Sequence, residues 1–338
     1  MRALERLWWR GEEPRFAELY LWPLTLASQL YRAGAAIARG RAQPARAALP
    51  TILVGNLTVG GAGKTPVTLA LAQRLQARGL RVAILSRGHG RRSSLPIEVQ
   101  PGTPVELCGD EPLLLRKRLP DALVLVGPRR ALLAGRAAQL GAQVLLLDDG
   151  LQHHALARDL DVVVVDASNP LGNGKLLPRG PLRELPQALE RTRGRALIWL
   201  TRLADESNRA PLPDALAPLA GWPLVRSTFT PAAGAPELSG RRVFLFAGIA
   251  RPDSFEVLAV KLGATVIGRR WFGDHHWFSA AEAAWLIRAA ADALLLTTEK
   301  DLVRWPPGAG ATPVALPVDL KVFGGEEALQ TALDAVLR

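Results

Sequence analysis

The residues best suited to chemistry run Thr58-Val59-Gly60-Gly61-Ala62-Gly63-Lys64-Thr65. An apolar, strand-like run, Thr51–Gly55, precedes them and Pro66 follows. Strand, glycine-rich turn and helix start, in that order, is the context in which a backbone loop wraps phosphates. Gly60, Gly61 and Gly63 let main-chain N–H groups converge, and the next helix adds the partial positive charge of its N-terminus. In such a loop Lys64 reaches the β- and γ-phosphates, and the Thr65 hydroxyl ligates Mg²⁺. Pro66 costs little in a first helical turn, where its missing N–H would have no partner. The loop departs once from G-x-x-x-x-G-K-[ST], because Thr58 stands where the first glycine is usual. The alternative is a turn without chemical consequence. The preceding strand, the Lys-Thr pair and an acidic strand end downstream weigh against it.

That strand end is Leu145-Leu146-Leu147-Asp148-Asp149-Gly150, which sets two carboxylates where a Mg²⁺ shell would lie. A second acidic end, Val163-Val164-Val165-Asp166, competes, since open α/β sheets bind ligands at the carboxyl ends of their strands. The adjacent pair favours Asp148 and Asp149.

Composition adds weight to Lys64. The chain has 338 residues and a formal net charge of +11, yet only six lysines: 64, 117, 175, 261, 300 and 321. Where arginine serves nearly everywhere, a lysine at a phosphate-binding position stands out, because ammonium and guanidinium are not interchangeable there. The abundance of Arg, Ala, Leu and Gly reads as a coding bias, so the positive charge alone does not argue for nucleic acid. One cysteine, Cys108, excludes an intramolecular disulfide framework and a cysteine-only zinc site, and it fits a reducing cytosol. No secretory signal is expected, as Glu5, Glu12 and Glu13 interrupt the first residues.

These groups need a scaffold, and the apolar pattern supplies one. Strand-like runs occur at residues 51–55, 81–85, 122–126, 143–147, 161–165 and 196–200, with helical stretches at 64–78, 111–119 and 129–140. Continuous apolar strands alternating with helices predict an α/β fold with a P-loop NTPase-type parallel sheet, covered by helices on both faces. Length allows two domains. A Pro-rich segment, Pro211 to Pro236, then precedes a smaller C-terminal α/β domain with strands near 241–246 and 293–297. The expected boundaries are 1–48, 49–225 and 226–338.

The first fifty residues are a zone of their own. Eight arginines (2, 6, 10, 15, 32, 39, 41 and 46) face Glu5, Glu12, Glu13 and Glu18. Between them runs the apolar, aromatic stretch Leu19 to Ile37, with Trp8 and Trp9 upstream. A spanning helix needs about 20 predominantly apolar residues, and Pro23, Gln29 and Arg32 interrupt this one. An amphipathic helix lying on a membrane face is one reading. A helix docked on the protein's own core is the other, and different faces can satisfy both.

Several segments together resemble the tetraacyldisaccharide 4'-kinase family of Gram-negative bacteria. They are VGNLTVGGAGKTP (54–66), SRGHGR (86–91), GDEP (109–112), LDDGLQH (147–153), GNGKLLPRGPLRE (172–184), FAGIARPDSF (246–255), DHHWFS (274–279) and TTEKD (297–301). The resemblance implies transfer of the γ-phosphate of ATP, with Mg²⁺, to the 4'-hydroxyl of tetraacyldisaccharide 1-phosphate, giving lipid IV-A. It implies a peripheral enzyme at the cytoplasmic face of the inner membrane, whose partners are the lipid substrate and the anionic membrane surface. No nucleic acid and no obligate protein partner are implied. It assigns the base to Asp110, supported by His275. Arg183 falls near the phosphates, and Glu184 falls near the Mg²⁺ shell with Thr65, Asp148 and Asp149.

The residues alone leave alternatives. Asp110 suits a helix N-cap, and Arg183 with Glu184 suits a surface ion pair. His275 and His276 form a metal pair on paper, but no Cys or third His lies near, which disfavours zinc. Arg87 is a weak candidate for phosphate contact, His89 receives no role, and Lys300 and Asp301 read as structural. A partitioning-type ATPase switch would carry a lysine just before the glycine pair, where this chain has Val59. A nucleic-acid ATPase would need a basic, aromatic strand that is not found.

Overall fold

The computed structural model describes residues 7–9, 17–204 and 212–338. Arg2, Glu5, Arg6, Arg10, Glu12, Glu13, Arg15 and Pro211 lie outside the described residues. In chain order the elements begin α1 (Ala17–Arg41), β1 (Thr51–Gly55), α2 (Lys64–Ala77), β2 (Val82–Ser86), β3 (Ile97–Glu98), α3 (Val105–Cys108) and α4 (Asp110–Arg118). They continue β4 (Leu123–Val126), α5 (Arg130–Gln139), β5 (Val144–Asp148), β6 (Leu160–Asp166), β7 (Ala196–Thr201), β8 (Leu224–Pro231) and β9 (Arg242–Ala247). The last are α6 (Pro252–Lys261), β10 (Thr265–Trp271), α7 (Ala280–Ala290), β11 (Leu294–Thr298), α8 (Glu299–Leu302), β12 (Val314–Leu316), β13 (Val318–Gly324) and α9 (Glu326–Leu337).

These elements form two compact units that interleave along the chain. Met1–Leu85, Arg129–Thr228 and Lys321–Arg338 make the first, and Ser86–Pro128 with Phe229–Leu320 make the second. Linear boundaries at 48/49 and 225/226 do not follow this division. Composition changes gradually along the sequence, whereas packing groups Ser86–Pro128 with segments more than a hundred residues later. The segment read as a Pro-rich separator also holds β8, which pairs parallel with β7 through Ile198 and Leu224.

In the first unit, β7–β6–β1–β5–β2 run parallel. Ile52, Leu53 and Val54 of β1 and Leu145, Leu146 and Leu147 of β5 are fully buried. Both faces of these strands are covered, which is why they read as unbroken apolar runs rather than alternating ones.

The second unit has a parallel sheet in the order β10–β9–β11–β12. Side chains alternate across a strand. Val243, Leu245 and Ala247 of β9 accordingly join one apolar cluster with Phe255 and Ala259, while Phe244 and Phe246 join another with Phe278 and Leu286. Ile97 and Glu98 of β3 pair antiparallel with β4 in the same unit.

Helix α1 has two different faces. Ser28 is buried and its hydroxyl donates to the Leu176 carbonyl at 2.9 Å. Thr25 meets the buried Arg179, and Arg39 lies 3.7 Å from Glu184. On another face Trp22, Leu26 and Leu30 are each more than half exposed, as is Ile37 further along. Spacing of four residues aligns the first three in one stripe. No helix among the described residues is long and apolar enough to cross a membrane.

Candidate active site

The phosphate loop leaves the carboxyl end of β1, directly beside the acidic end of β5. Register sets Val54 opposite Asp148. Gly60 and Gly63 have φ of 91° and 93°, a backbone region that glycine enters without penalty. Gly63 is the N-cap of α2, so Lys64 and Thr65 open the helix whose N-terminal N–H groups face the loop. Asn56, fully buried, braces the turn: its Nδ2 donates to the Thr58 carbonyl at 2.7 Å, and its Oδ1 accepts from Lys64 Nζ at 3.1 Å. The far side of the loop is tied to the end of β7, because Arg202 donates to the Gly61 carbonyl and Thr201 to the Ala62 carbonyl.

The segment Pro181–Arg183 is zipped along this loop. Val59 N–H donates to the Pro181 carbonyl at 2.8 Å, and Arg183 N–H to the Leu57 carbonyl at 2.7 Å. That pairing carries Arg183 to Asp149, with Nη1 at 2.9 Å from Oδ1 and 3.3 Å from Gln152 Oε1. Lys64 Nζ stands 3.7 Å from the same Asp149 oxygen. Burial pushes the Asp149 carboxyl up, but Lys64 and Arg183 outweigh it and hold it below the usual carboxylate range. Asp149 adopts φ of 48°, a left-handed conformation that aspartate tolerates better than most residues. Arg130, almost wholly buried, donates to the carbonyls of Asp148 and Asp149 and fixes this corner from behind.

Glu184 faces elsewhere. It is 2.7 Å from Arg191 and 3.7 Å from Arg39, neither of which belongs to the phosphate loop. Asp166, the competing strand end, holds Ser168 and pairs with Arg202 at 2.8 Å.

A second constellation is built within the other unit. Gly109 has φ of 92° and ψ of 159°, a conformation close to glycine-only. It turns the chain between α3 and α4, so that Asp110 opens α4 as its first helical residue rather than its N-cap. The Asp110 carboxylate accepts from Glu111 N–H at 2.9 Å and lies 2.9 Å from His275 Nδ1 and 3.2 Å from Arg304 Nη1. Only 4% of its side chain is exposed. Burial pushes its carboxyl up, but His275, Lys300 and Arg304 together bring it down to about 2.

His275 has φ of 58°, and its N–H donates to the Gly248 carbonyl. His276 turns away: it stacks on Phe272 and contacts Glu282 at 3.0 Å. The two histidines therefore do not converge on a common ion. His89 meets the His275 ring edge-on, with centroids 5.2 Å apart. Lys300 Nζ lies 3.1 Å from Glu111 and 3.2 Å from His275 Nε2, and the buried Asp301 accepts from Gly248 N–H and pairs with Arg304. Cys108, buried beside Asp110 in sequence, is held as a thiol with its pKa pushed up to about 11, mainly by burial.

The structure thus gathers Thr58–Thr65, Lys64, Asp148, Asp149 and Arg183 in the first unit, and Asp110 with His275 in the second. Asn56, Gln152 and Arg130 in the first, and Arg304 in the second, carry site geometry that motif reading passed over. Asn56 and Gln152 lie inside the VGNLTVGGAGKTP and LDDGLQH segments, and only Asn56 stands out there as a polar residue beside an apolar run. Arg130 and Arg304 gave no signal in a chain so rich in arginine.

A glycine-rich loop between a parallel strand and a helix, with aspartates at the neighbouring strand end, defines a P-loop-class phosphotransferase. Residues 18–338 match the family model described as tetraacyldisaccharide-1-P 4'-kinase. The chain belongs to that family. It is 46% identical over 367 residues to the tetraacyldisaccharide 4'-kinase of Anaeromyxobacter sp. (strain Fw109-5), covering 100% of this chain and 97% of that one. Over 282 residues it is 46% identical to the enzyme of Rhodospirillum centenum, covering 82% and 80%. A crystal structure of LpxK from Aquifex aeolicus in complex with ATP is similar across 96% of this chain and 98% of its own, with a TM-score of 0.68 and 27% identity.

Proposed function

We propose that the two constellations divide the work of one phosphoryl transfer. The protein is an ATP-dependent kinase of lipid A biosynthesis. It phosphorylates the 4'-hydroxyl of tetraacyldisaccharide 1-phosphate to give lipid IV-A. The loop Thr58–Thr65 cradles the nucleotide phosphates with its N–H groups. Lys64, now shared between Asn56 and Asp149, turns to the β- and γ-phosphates. Arg183 stabilises charge on the transferring group.

Mg²⁺ takes one or two carboxylates beside phosphate and water, and Thr65 at the start of α2 with Asp148 and Asp149 at the end of β5 suit that donor set. When bound, the ion neutralises charge on the β- and γ-phosphates. Glu184 is engaged by Arg39 and Arg191.

Asp110 receives the sugar hydroxyl. A carboxyl near 2 is a weak proton acceptor, but phosphoryl transfer passes through a loose transition state in which the nucleophile needs chiefly to be aimed. Asp110 accepts the hydroxyl's hydrogen bond, aligns its oxygen, and takes the proton as the O–P bond forms. The 2.9 Å bond from His275 to this buried carboxylate carries the assignment. Asp110→Asn keeps the size but loses the negative charge and the carboxylate oxygen that can take up a proton. It should lower transfer to lipid in detergent micelles by about 10²–10⁴-fold while ATP binding stays within about twofold. A variant with more than a tenth of wild-type turnover would refute the assignment.

The acyl chains of the substrate remain in a bilayer, so the enzyme works at a membrane surface. The exposed stripe Trp22, Leu26 and Leu30, with Arg32 on the same helix, suits the interface of an anionic leaflet. This supports peripheral attachment to the cytoplasmic face of the inner membrane.

A further inference from the structure

Lys300 and Asp301 of the TTEKD segment lie beside His275 and Arg304. The Lys300 ammonium lies 3.2 Å from His275 Nε2, 3.1 Å from Glu111 and 3.6 Å from Asp274. Burial opposes its charge, but Glu111, Asp110 and Asp274 outweigh burial and raise its pKa, so it is an ammonium at any working pH.

A lysine ammonium has three donors and no acceptor. In its contact with His275, Nε2 must therefore be the acceptor and carry no proton. The imidazole proton is then on Nδ1, from which it donates to Asp110 Oδ2 at 2.9 Å. The opposite tautomer would place an N–H against the ammonium and an empty Nδ1 lone pair against a carboxylate. Both contacts would be repulsive.

We propose that Lys300 is a positioning residue that locks His275 in its Nδ1–H tautomer, and so aims the Asp110 carboxylate at the sugar hydroxyl. The proposal rests on the reading of Asp110 as the group that receives that hydroxyl. The charged and titratable neighbours of the imidazole are consistent with it. Asp274 Oδ2 is 3.8 Å from Nε2 but shares the ammonium, His89 meets the ring edge-on, and Arg304 holds the carboxylate rather than the imidazole. Lys300 thus acts through His275, and Arg304 completes the grip on Asp110 while Asp301 holds Arg304.

The test uses the full chain in detergent with ¹⁵N-labelled histidine. Five histidines give a tractable spectrum, and His275→Asn identifies the resonances. The expected wild-type spectrum shows Nδ1 protonated and Nε2 bare. Lys300→Met should shift the imidazole toward the Nε2–H form and lower kcat by about 10- to 100-fold, part of what acid–base groups contribute, with KM for ATP unchanged. Lys300→Arg, which also presents only donors, should keep the tautomer and recover most of kcat. A wild-type His275 protonated on Nε2 overturns the proposal without any variant. So does a folded Lys300→Met in which either the tautomer or kcat is unchanged. Failure of the Asp110 reading shows separately, as an Asp110→Asn variant that still transfers phosphate while the wild-type tautomer stands.

Discussion

Asp110 and His154 show how differently burial treats two titrating groups. Asp110 is buried yet held near 2 by His275, Lys300 and Arg304. Its unfolded value is about 3.9, so its stabilising contribution is complete above that pH and is lost as pH falls toward 2. The carboxylate stays ionised throughout the working range. Transfer should accordingly show no acid limb from Asp110 above about pH 5, which a kcat/KM profile with ATP saturating would check. His154 is the opposite case. Burial first, then Arg158, Arg191 and Arg39, lower it to about 4, against about 6.5 when unfolded. As pH falls from about 6.5 to 4 the unfolded chain takes this proton first, so stability declines across that window. His154→Asn should flatten the dependence of Tm on pH there, and an unchanged slope would contradict the assignment.

Motif spacing singles out Lys64, Thr65, Asp148 and Asp149, whereas only the family resemblance singles out Asp110. The roles of Lys300 and Asn56 were not legible, because each depends on a contact: Lys300 with His275, 25 residues away, and Asn56 with Lys64 across a turn. Only the family resemblance suggests Glu184 for the metal shell, and its partners in the structure are Arg39 and Arg191.

At the scale of elements, the phosphate loop depends on what lies beside it. β1 sets the direction, Gly63 starts α2, and the bond pair between Val59–Leu57 and Pro181–Arg183 delivers Arg183. Gly63→Ala forces a left-handed φ on a residue with a Cβ, at a cost of about 1–2 kcal/mol. It should weaken ATP binding at least as much as it lowers Tm, measured by titration calorimetry beside a thermal melt. Arg183→Ala should leave Tm nearly unaltered and reduce kcat by about 10²–10³-fold. The main strands were readable because a fully covered parallel strand must be apolar throughout. β8 was not, since Pro223 and Pro231 bracket it within a segment whose composition signals a loop.

On the scale of the molecule, each unit is built from segments distant in sequence, and no linear boundary describes that. The phosphate-loop residues lie in one unit and Asp110 with His275 in the other. Helix α1 adds the exposed apolar stripe Trp22, Leu26 and Leu30. Replacing Trp22, Leu26 and Leu30 together by Ser should reduce binding to anionic vesicles by about 10-fold or more, given roughly 1.5–3 kcal/mol for each large apolar side chain fully buried. ATP binding in solution should be unaffected. Undiminished vesicle binding would remove the membrane role of this stripe.

The most direct measurement is transfer of labelled γ-phosphate from ATP to tetraacyldisaccharide 1-phosphate in mixed micelles, by wild-type protein and by Asp110→Asn side by side. The account predicts a product phosphorylated at the 4'-hydroxyl from the wild type, and near-complete loss in a variant that still binds ATP. Wild-type turnover matched by Asp110→Asn would contradict it.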